Sequence, residues 1–264
     1  MPNATVLYEI KDSIARITLN RPEALNAMNQ EMSGEIVSAC RRAEADETVR
    51  VVIFTGAGDK AFSSGMDLKE RAQAPAPPIE RRRTKTAPEA NTPTKAAAAM
   101  TKPTIAVING YAVGGGLELA LTCDLRIAAE DAKLGLSEVR RGIIPGAGGT
   151  QRLARVVGVA KALELCLSGQ LVDGREALRI GLVHEAVARE ELAAAAERLA
   201  ETLLKGAPLS LRFIKEAIRK GSELPLDEGL RLEADLSALI ATTEDAKEGP
   251  RAFAEKRPAV WKGK

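Results

Sequence analysis

The stretch Asn109–Arg152, NGYAVGGGLELALTCDLRIAAEDAKLGLSEVRRGIIPGAGGTQR, decides how this chain is read. An apolar run, Thr104 to Ile108, leads into Asn109-Gly110, the pattern of a strand entering a turn. Gly114, Gly115 and Gly116 follow, and Leu117, Ala120 and Leu121 then recur at helical spacing. Glycines between a strand end and a helix start permit backbone angles and close approaches that a Cβ forbids. The unpaired N–H groups at such a start form a positive pocket suited to negative charge. Glu118 falls just inside it, among apolar neighbours that predict burial, and a buried carboxylate is costly without a partner or a role. Glu138 follows a second apolar run, Leu125 to Ala129, and precedes the glycine-rich IIPGAGGTQR. One site with oxyanion donors and two carboxylates is the expectation, and that combination suggests an enzyme. Taken singly, each has a plainer reading: glycines as turns, Glu118 as compensation for a helix dipole, Glu138 as a partner of Arg140 or Arg141.

Working outward, Thr5 to Ile10 and Ile14 to Leu19 predict a hairpin, Gln30 to Ala45 a helix and Val49 to Thr55 a buried strand. In the helix, Met32, Ile36, Val37 and Cys40 face inward. KAFSSGMDLKERA (Lys60–Ala72) reads as a small-residue loop entering a helix capped by Asp67. Ala74 to Lys102, rich in Pro, Ala and Thr and carrying Arg81, Arg82, Arg83 and Lys85, is either a lid or a solvated surface insertion. Helical patterns broken by Gly158, Gly169 and Gly181 follow, then a short strand-like run, Leu182 to Val187. From Arg189 the sequence is helical throughout. The fold class is therefore α/β, built from ββα units, with residues 1–200 as core and 201–264 as a C-terminal helical region.

Bulk properties narrow the function. At 264 residues and 45% hydrophobic, the chain can bury a full core. A net charge of +2 and 3% aromatic residues argue against a nucleic-acid partner. Three scattered cysteines, Cys40, Cys123 and Cys166, fit a reducing compartment and small buried groups, and neither a disulfide framework nor a zinc site. No secretory h-region or 18-residue apolar run is present, so a cytoplasmic location away from membranes is expected. The single histidine, His184, reads as a surface or strand-end residue; with no G-x-S-x-G motif, a Ser-His-Asp hydrolase is set aside. No P-loop or metal-ligand spacing is found.

Five segments together carry a resemblance: NRPEALNAMN, KAFSSGMDLKE, KPTIAVINGYAVGGGLELALTCDLRIAAEDAKLGLSE, GIIPGAGGTQRL and EGPRAFAEKRPAVWKG. In that order they resemble the enoyl-CoA hydratase/isomerase family, the crotonase superfamily, over essentially the whole chain. The resemblance implies a crotonase-type spiral of ββα turns with a C-terminal helical trimerisation region, in homotrimers often paired as hexamers. It implies that the backbone N–H groups of Met66 and Gly115 form the oxyanion hole, although family members often have a small residue where Met66 stands. It matches Glu118 and Glu138 to the two catalytic glutamates. Glu23, Ala24, Leu25 and Ala27 match the CoA-binding loop, and Asp67, Leu68 and Lys69 line the same substrate site. Glu23 stands where a basic residue would help the CoA phosphates. The implied activity is hydration of a 2-enoyl-CoA to a 3-hydroxyacyl-CoA, with coenzyme A as part of the substrate and no metal or redox cofactor. Alternatives are a 3-methylglutaconyl-CoA-type hydratase, an enoyl-CoA isomerase needing only the Glu138 position, and a non-catalytic RNA-binding member. The last would use the basic helix bearing Arg212, Lys215, Arg219 and Lys220.

Overall fold

The structure, a computed structural model, describes residues 4–73 and 92–264. The segment read as a lid or a surface insertion, with Arg81, Arg82 and Arg83, lies for the most part outside the described residues. The chain divides into two compact units, residues 1–100 with 104–196, and residues 101–103 with 197–264.

In the first unit, β1 (Val6–Lys11) and β2 (Ile14–Leu19) pair antiparallel as a hairpin, with Asp12 and Ser13 in the left-handed region at its turn. Helix α1 (Gln30–Ala45) begins where Asn29 accepts the N–H of Met32 at 2.9 Å. It buries the predicted Met32, Ile36, Val37 and Cys40, together with Ala39 and Ala43. Strand β3 (Val51–Gly56) pairs parallel with β2, as β5 (Thr104–Ile108) does with β3, β7 (Leu125–Ala129) with β5, and β10 (Glu185–Val187) with β7. The six-stranded sheet thus runs β1-β2-β3-β5-β7-β10. Its continuous apolar runs are those of strands covered on both faces: Val51 to Phe54 and all of β5 are buried.

After β3, β5 and β7 the chain leaves this sheet to add one strand to a second sheet. Strands β4 (Ala61–Ser63), β6 (Tyr111–Val113) and β8 (Lys133–Gly135) pair in parallel, and β9 (Val172–Asp173) closes the sheet antiparallel to β8. Short helices follow two of them: α2 (Leu68–Gln73) after β4 and α4 (Gly115–Ala120) after β6. Between these, α3 (Pro93–Ala98) is capped by Thr92 and packs against α1. This alternation is the expected ββα repeat. Strands β4, β6 and β8, of three residues each, are not among the strands that the sequence predicts. They are too short to show alternation, and their ends are rich in glycine.

Beyond β8 the first unit contains α5 (Gly149–Val157), α6 (Val159–Ser168) and α7 (Gly174–Arg179). His184 sits just before β10, its Nδ1 accepting the Arg126 N–H at 3.2 Å, a strand-end role as expected. None of the three cysteines forms a disulfide; Cys40 and Cys123 are buried and Cys166 is half-buried.

Helix α8 (Leu192–Leu204) leads into α9 (Pro208–Gly221), α10 (Leu226–Ala241) and α11 (Glu244–Ala254). In the second unit, the C-terminal chain is tied back through Asp245, which accepts the N–H groups of Lys262 and Gly263 at 2.7 and 2.9 Å. Trp261 Nε1 donates to Lys205 O at 2.8 Å. Within α9 and α10, Leu236 is buried, while Ile214, Ile218 and Leu239 are exposed on the single chain. In the basic helix face, Lys215 donates to Lys102 O at 2.8 Å and Lys220 pairs with Glu216 at 2.6 Å. No described helix is long and apolar enough to cross a membrane.

Candidate active site

Because β4, β6 and β8 run in parallel, their C-terminal ends lie side by side. The first end carries Gly65 and Met66, the second Gly114 through Glu118, and the third leads to Glu138. These ends border one cavity of about 490 Å³, lined among others by Met66, Gly115, Glu118 and Glu138.

The loop Arg21–Asn29 fixes the first end. Met28 and Met66 form an isolated parallel bridge in which Met28 N–H donates to Gly65 O (2.7 Å) and Asp67 N–H donates to Met28 O (3.0 Å). In such a bridge the N–H of Met66 itself points away from Met28, and it has no acceptor among the described residues. Asn26, fully buried, ties the loop down through Nδ2 to Ala57 O and Ala61 O at 3.0 and 2.7 Å, while its Oδ1 accepts the Arg21 N–H at 2.9 Å. Ser63 Oγ closes the connection on Asn26 O at 2.8 Å. Gly65 has φ +94°, and a Cβ there would stand 2.7 Å from Val113 O and 2.9 Å from Gly115 N. Only glycine lets the two loops come this close.

Gly115 N opens α4, where an N–H lacks an intrahelical acceptor. It too has no acceptor among the described residues. An ideal Cβ on Gly115 would be 3.5 Å from Met66 N, so the two free N–H groups border the same space. Two such donors facing one space are what binding an oxyanion requires.

Glu118 is 4% exposed, and the rest of α4 around it, Leu117, Leu119 and Ala120, is buried as expected. Its Oε1 accepts main-chain N–H groups of Ala147 and Gly149 at 2.7 and 2.8 Å. Both donors belong to the glycine-rich turn entering α5, so the IIPGAGGTQR segment orients Glu118. Its other oxygen, Oε2, has no protein partner among the described residues and is available to the cavity.

Glu138 begins a 3-10 turn, Glu138–Arg141, that Gly142 ends in the left-handed region. The pairing of Val113 with Gly135 and the bond from Gly114 N to Gly135 O (3.0 Å) bring this turn against Gly114. A Cβ on Gly114 would lie 3.2 Å from Glu138 Oε1. Glu138 is 8% exposed and its Oε2 is buried with no hydrogen-bond partner. Burial pushes its carboxyl pKa up, opposed by its own backbone N–H; the nearby Glu118 charge adds to the rise and Arg141 counters it. The two carboxyl groups therefore have different environments, one bound by donors and one desolvated.

The remaining predicted residues scatter. Leu68 lines the cavity, and Leu25, in the left-handed region, lines a neighbouring hollow of about 430 Å³ with Tyr111, Arg140 and Leu171. Asp67 instead pairs with Arg21 at 2.9 Å, which holds its carboxyl below the usual range, and accepts the Lys69 N–H as the predicted cap. Glu23, Ala24, Ala27 and Lys69 border neither hollow. Residues missed in the sequence include Asn26, Gly149 and two cavity guanidinium groups, Arg71 and Arg141. Asn26 stands inside the quoted loop motif, which was its only signal.

A sequence model of the enoyl-CoA hydratase/isomerase family matches residues 9–264. The chain belongs to the enoyl-CoA hydratase/isomerase family. Among its relatives, the (E)-benzylidenesuccinyl-CoA hydratase of Thauera aromatica is 40% identical over 98% of this chain and 99% of that protein. The crotonyl-CoA hydratase of Syntrophomonas wolfei is 39% identical over 98% of both. The crystal structure of an enoyl-CoA hydratase from Bacillus anthracis superposes with a TM-score of 0.91 at 38% identity, covering 98% of this chain and all (100%) of that one. The α/β crotonase fold of this chain is therefore the family fold. Among the described residues, no group of three or more His, Cys, Asp and Glu is placed to hold a metal ion.

Proposed function

We propose that this chain is an enoyl-CoA hydratase that adds water reversibly, in the syn sense, across a 2-enoyl-CoA. One observation carries the reading: two unspent main-chain donors, Met66 and Gly115, and two buried carboxyl groups, Glu118 and Glu138, line a single cavity. Addition of water at C3 builds negative charge on the thioester oxygen as an enolate forms. Two preorganised N–H groups at that oxygen favour the transition state over the ground state, each worth about 3–4 kcal/mol. Glu118, oriented by Ala147 and Gly149, takes the proton of the attacking water through Oε2. Glu138, whose carboxyl pKa burial raises, delivers a proton to C2. Return of the proton from Glu118 to Glu138 restores the starting state.

Names of the relatives support hydration, and coenzyme A enters as part of the substrate, with no metal or redox cofactor required by this chemistry. Isomerisation would need only a carboxylate at Glu138; a second oriented carboxylate favours the hydratase. We further propose a homotrimer, or a dimer of trimers, in which the exposed Ile214, Ile218 and Leu239 are covered. The reading is tested by incubating the purified chain with crotonyl-CoA and following loss of the enoyl-thioester absorbance. Hydration that disappears in both Glu118→Gln and Glu138→Gln is expected. Conversion of a 3-enoyl-CoA that survives Glu118→Gln would replace it with the isomerase.

A further inference from the structure

The cavity holds two guanidinium groups, Arg71 on α2 and Arg141 on the Glu138 turn. Arg141 donates to Ser137 Oγ at 2.9 Å and stands close enough to Glu138 to oppose its rise in pKa. Its guanidinium therefore has an oxygen partner within the site. Arg71 is different. Its NH1 lies 3.2 Å from Met66 Sδ, a thioether that is only a weak acceptor. No carboxylate among the described residues pairs with Arg71, while the acidic residues nearest in sequence are committed elsewhere: Asp67 to Arg21, Glu70 to the Gln30 N–H. The lining beside it on α3 is hydroxylic, with Thr92 and Thr94, and Ser33 of α1 adds a third hydroxyl.

The contact with Met66 also gives a distance. Met66 supplies an oxyanion donor through its N–H and touches Arg71 through its sulfur. Standard bond lengths put the guanidinium within roughly 8 Å of that N–H. The thioester oxygen would sit about 3 Å from the same donor. That upper bound limits an acyl chain joining the two points to a short one. A planar guanidinium at that point suits one ligand chemistry above others, a carboxylate taken up through paired N–H donors.

We propose that Arg71 makes this cavity selective for short 2-enoyl-CoA thioesters whose acyl group carries a second, distal carboxylate. The inference rests on the hydratase reading and adds the substrate class to it. Arg71 reads a part of the substrate that does not react, so its contribution is uniform binding, felt in KM more than in kcat. Its exposure makes the contact sensitive to salt.

The test compares crotonyl-CoA with glutaconyl-CoA, its analogue bearing a carboxylate on the terminal carbon, using the full chain and its Arg71→Gln and Arg71→Lys variants. The wild type should prefer glutaconyl-CoA by about tenfold or more in kcat/KM, the factor expected of one charge-assisted contact. Arg71→Gln should lower that ratio at least tenfold, mainly through KM, and Arg71→Lys should restore part of it. Calorimetric affinities for the saturated, unreactive glutaryl-CoA and butyryl-CoA should show the same loss of discrimination. Equal losses on both thioesters would place Arg71 on the CoA phosphates and overturn the proposal, as would a wild type with no preference. If neither enoyl thioester is hydrated, the hydratase reading fails, and the glutaryl-CoA to butyryl-CoA affinity ratio alone decides the carboxylate site.

Discussion

Replacing Glu118 by glutamine and by alanine should separate its catalytic work from its structural work. In glutamine, the amide oxygen can still accept from Ala147 and Gly149, which now donate at 2.7 and 2.8 Å. What is lost is the charge assistance, about 1 kcal/mol per bond. In alanine both donors lose their acceptor, and a buried N–H left unpaired costs about 1–3 kcal/mol, so about 2–6 kcal/mol for the two. For a chain of this size each kcal/mol moves Tm by about 2–4 °C. Glu118→Gln should therefore melt within several degrees of wild type, while Glu118→Ala should fall by roughly 4–24 °C. On activity the two should be alike. Both remove the group proposed to take the water proton, and kcat for crotonyl-CoA hydration should drop by about 10²–10⁴. Calorimetric melts and steady-state hydration on the same preparations check both halves. Wild-type kcat in Glu118→Gln would refute the catalytic assignment; equal melting of the two variants would refute the anchoring by Ala147 and Gly149.

Glu138 gives the opposite sign in stability. Burial raises its folded pKa, so its favourable contribution is full below the unfolded carboxyl pKa and is lost as pH rises through the folded one. Glu138→Gln, with no proton to lose, should melt higher than wild type near neutral pH, and the gap should close in acid; a gap independent of pH contradicts the burial argument. Hydration by the wild type should decline as pH rises through that same ionisation, since the neutral acid is the form proposed to protonate C2. At Gly149 an added Cβ would meet Pro145 Cβ at 2.8 Å and Glu118 Oε1 and Leu136 Cδ1 at 2.9 Å. Gly149→Ala should thus cost about 1–3 kcal/mol in stability and lower kcat by misplacing Glu118, and a variant unchanged in both denies that contact. Light scattering at micromolar concentration should find an assembly larger than one chain; a stable monomer would remove the trimer proposal.

Much of this was legible in the sequence, for definable reasons. Helix α1 and strands β3 and β5 show their periods over enough residues to be read directly, and Glu118 stands out because a carboxylate flanked by Leu117, Leu119 and Ala120 needs an explanation. Strands β4, β6 and β8 do not show, because three residues hold no pattern, yet their adjacent ends assemble the site. Close approaches are equally silent: nothing local says that Gly114 faces Glu138, or that Gly149 meets Glu118. The CoA-loop residues inferred by resemblance divide for the same reason. Leu25 borders a hollow, whereas the unnamed Asn26 between Leu25 and Ala27 holds the loop through its side chain. Arg71 reads as a solvated charge in LKERAQ, and only the tertiary placement of α2 brings it into the cavity.

The central claim is that one cavity both adds water and protonates C2, with Glu118 and Glu138 in separate roles. Mass spectrometry and NMR of the product from crotonyl-CoA in deuterated water test it most directly. The wild type should give 3-hydroxybutyryl-CoA with a single deuterium at C2, and Glu118→Gln and Glu138→Gln essentially none. Crotonyl-CoA recovered without added water from the folded wild-type protein would contradict it.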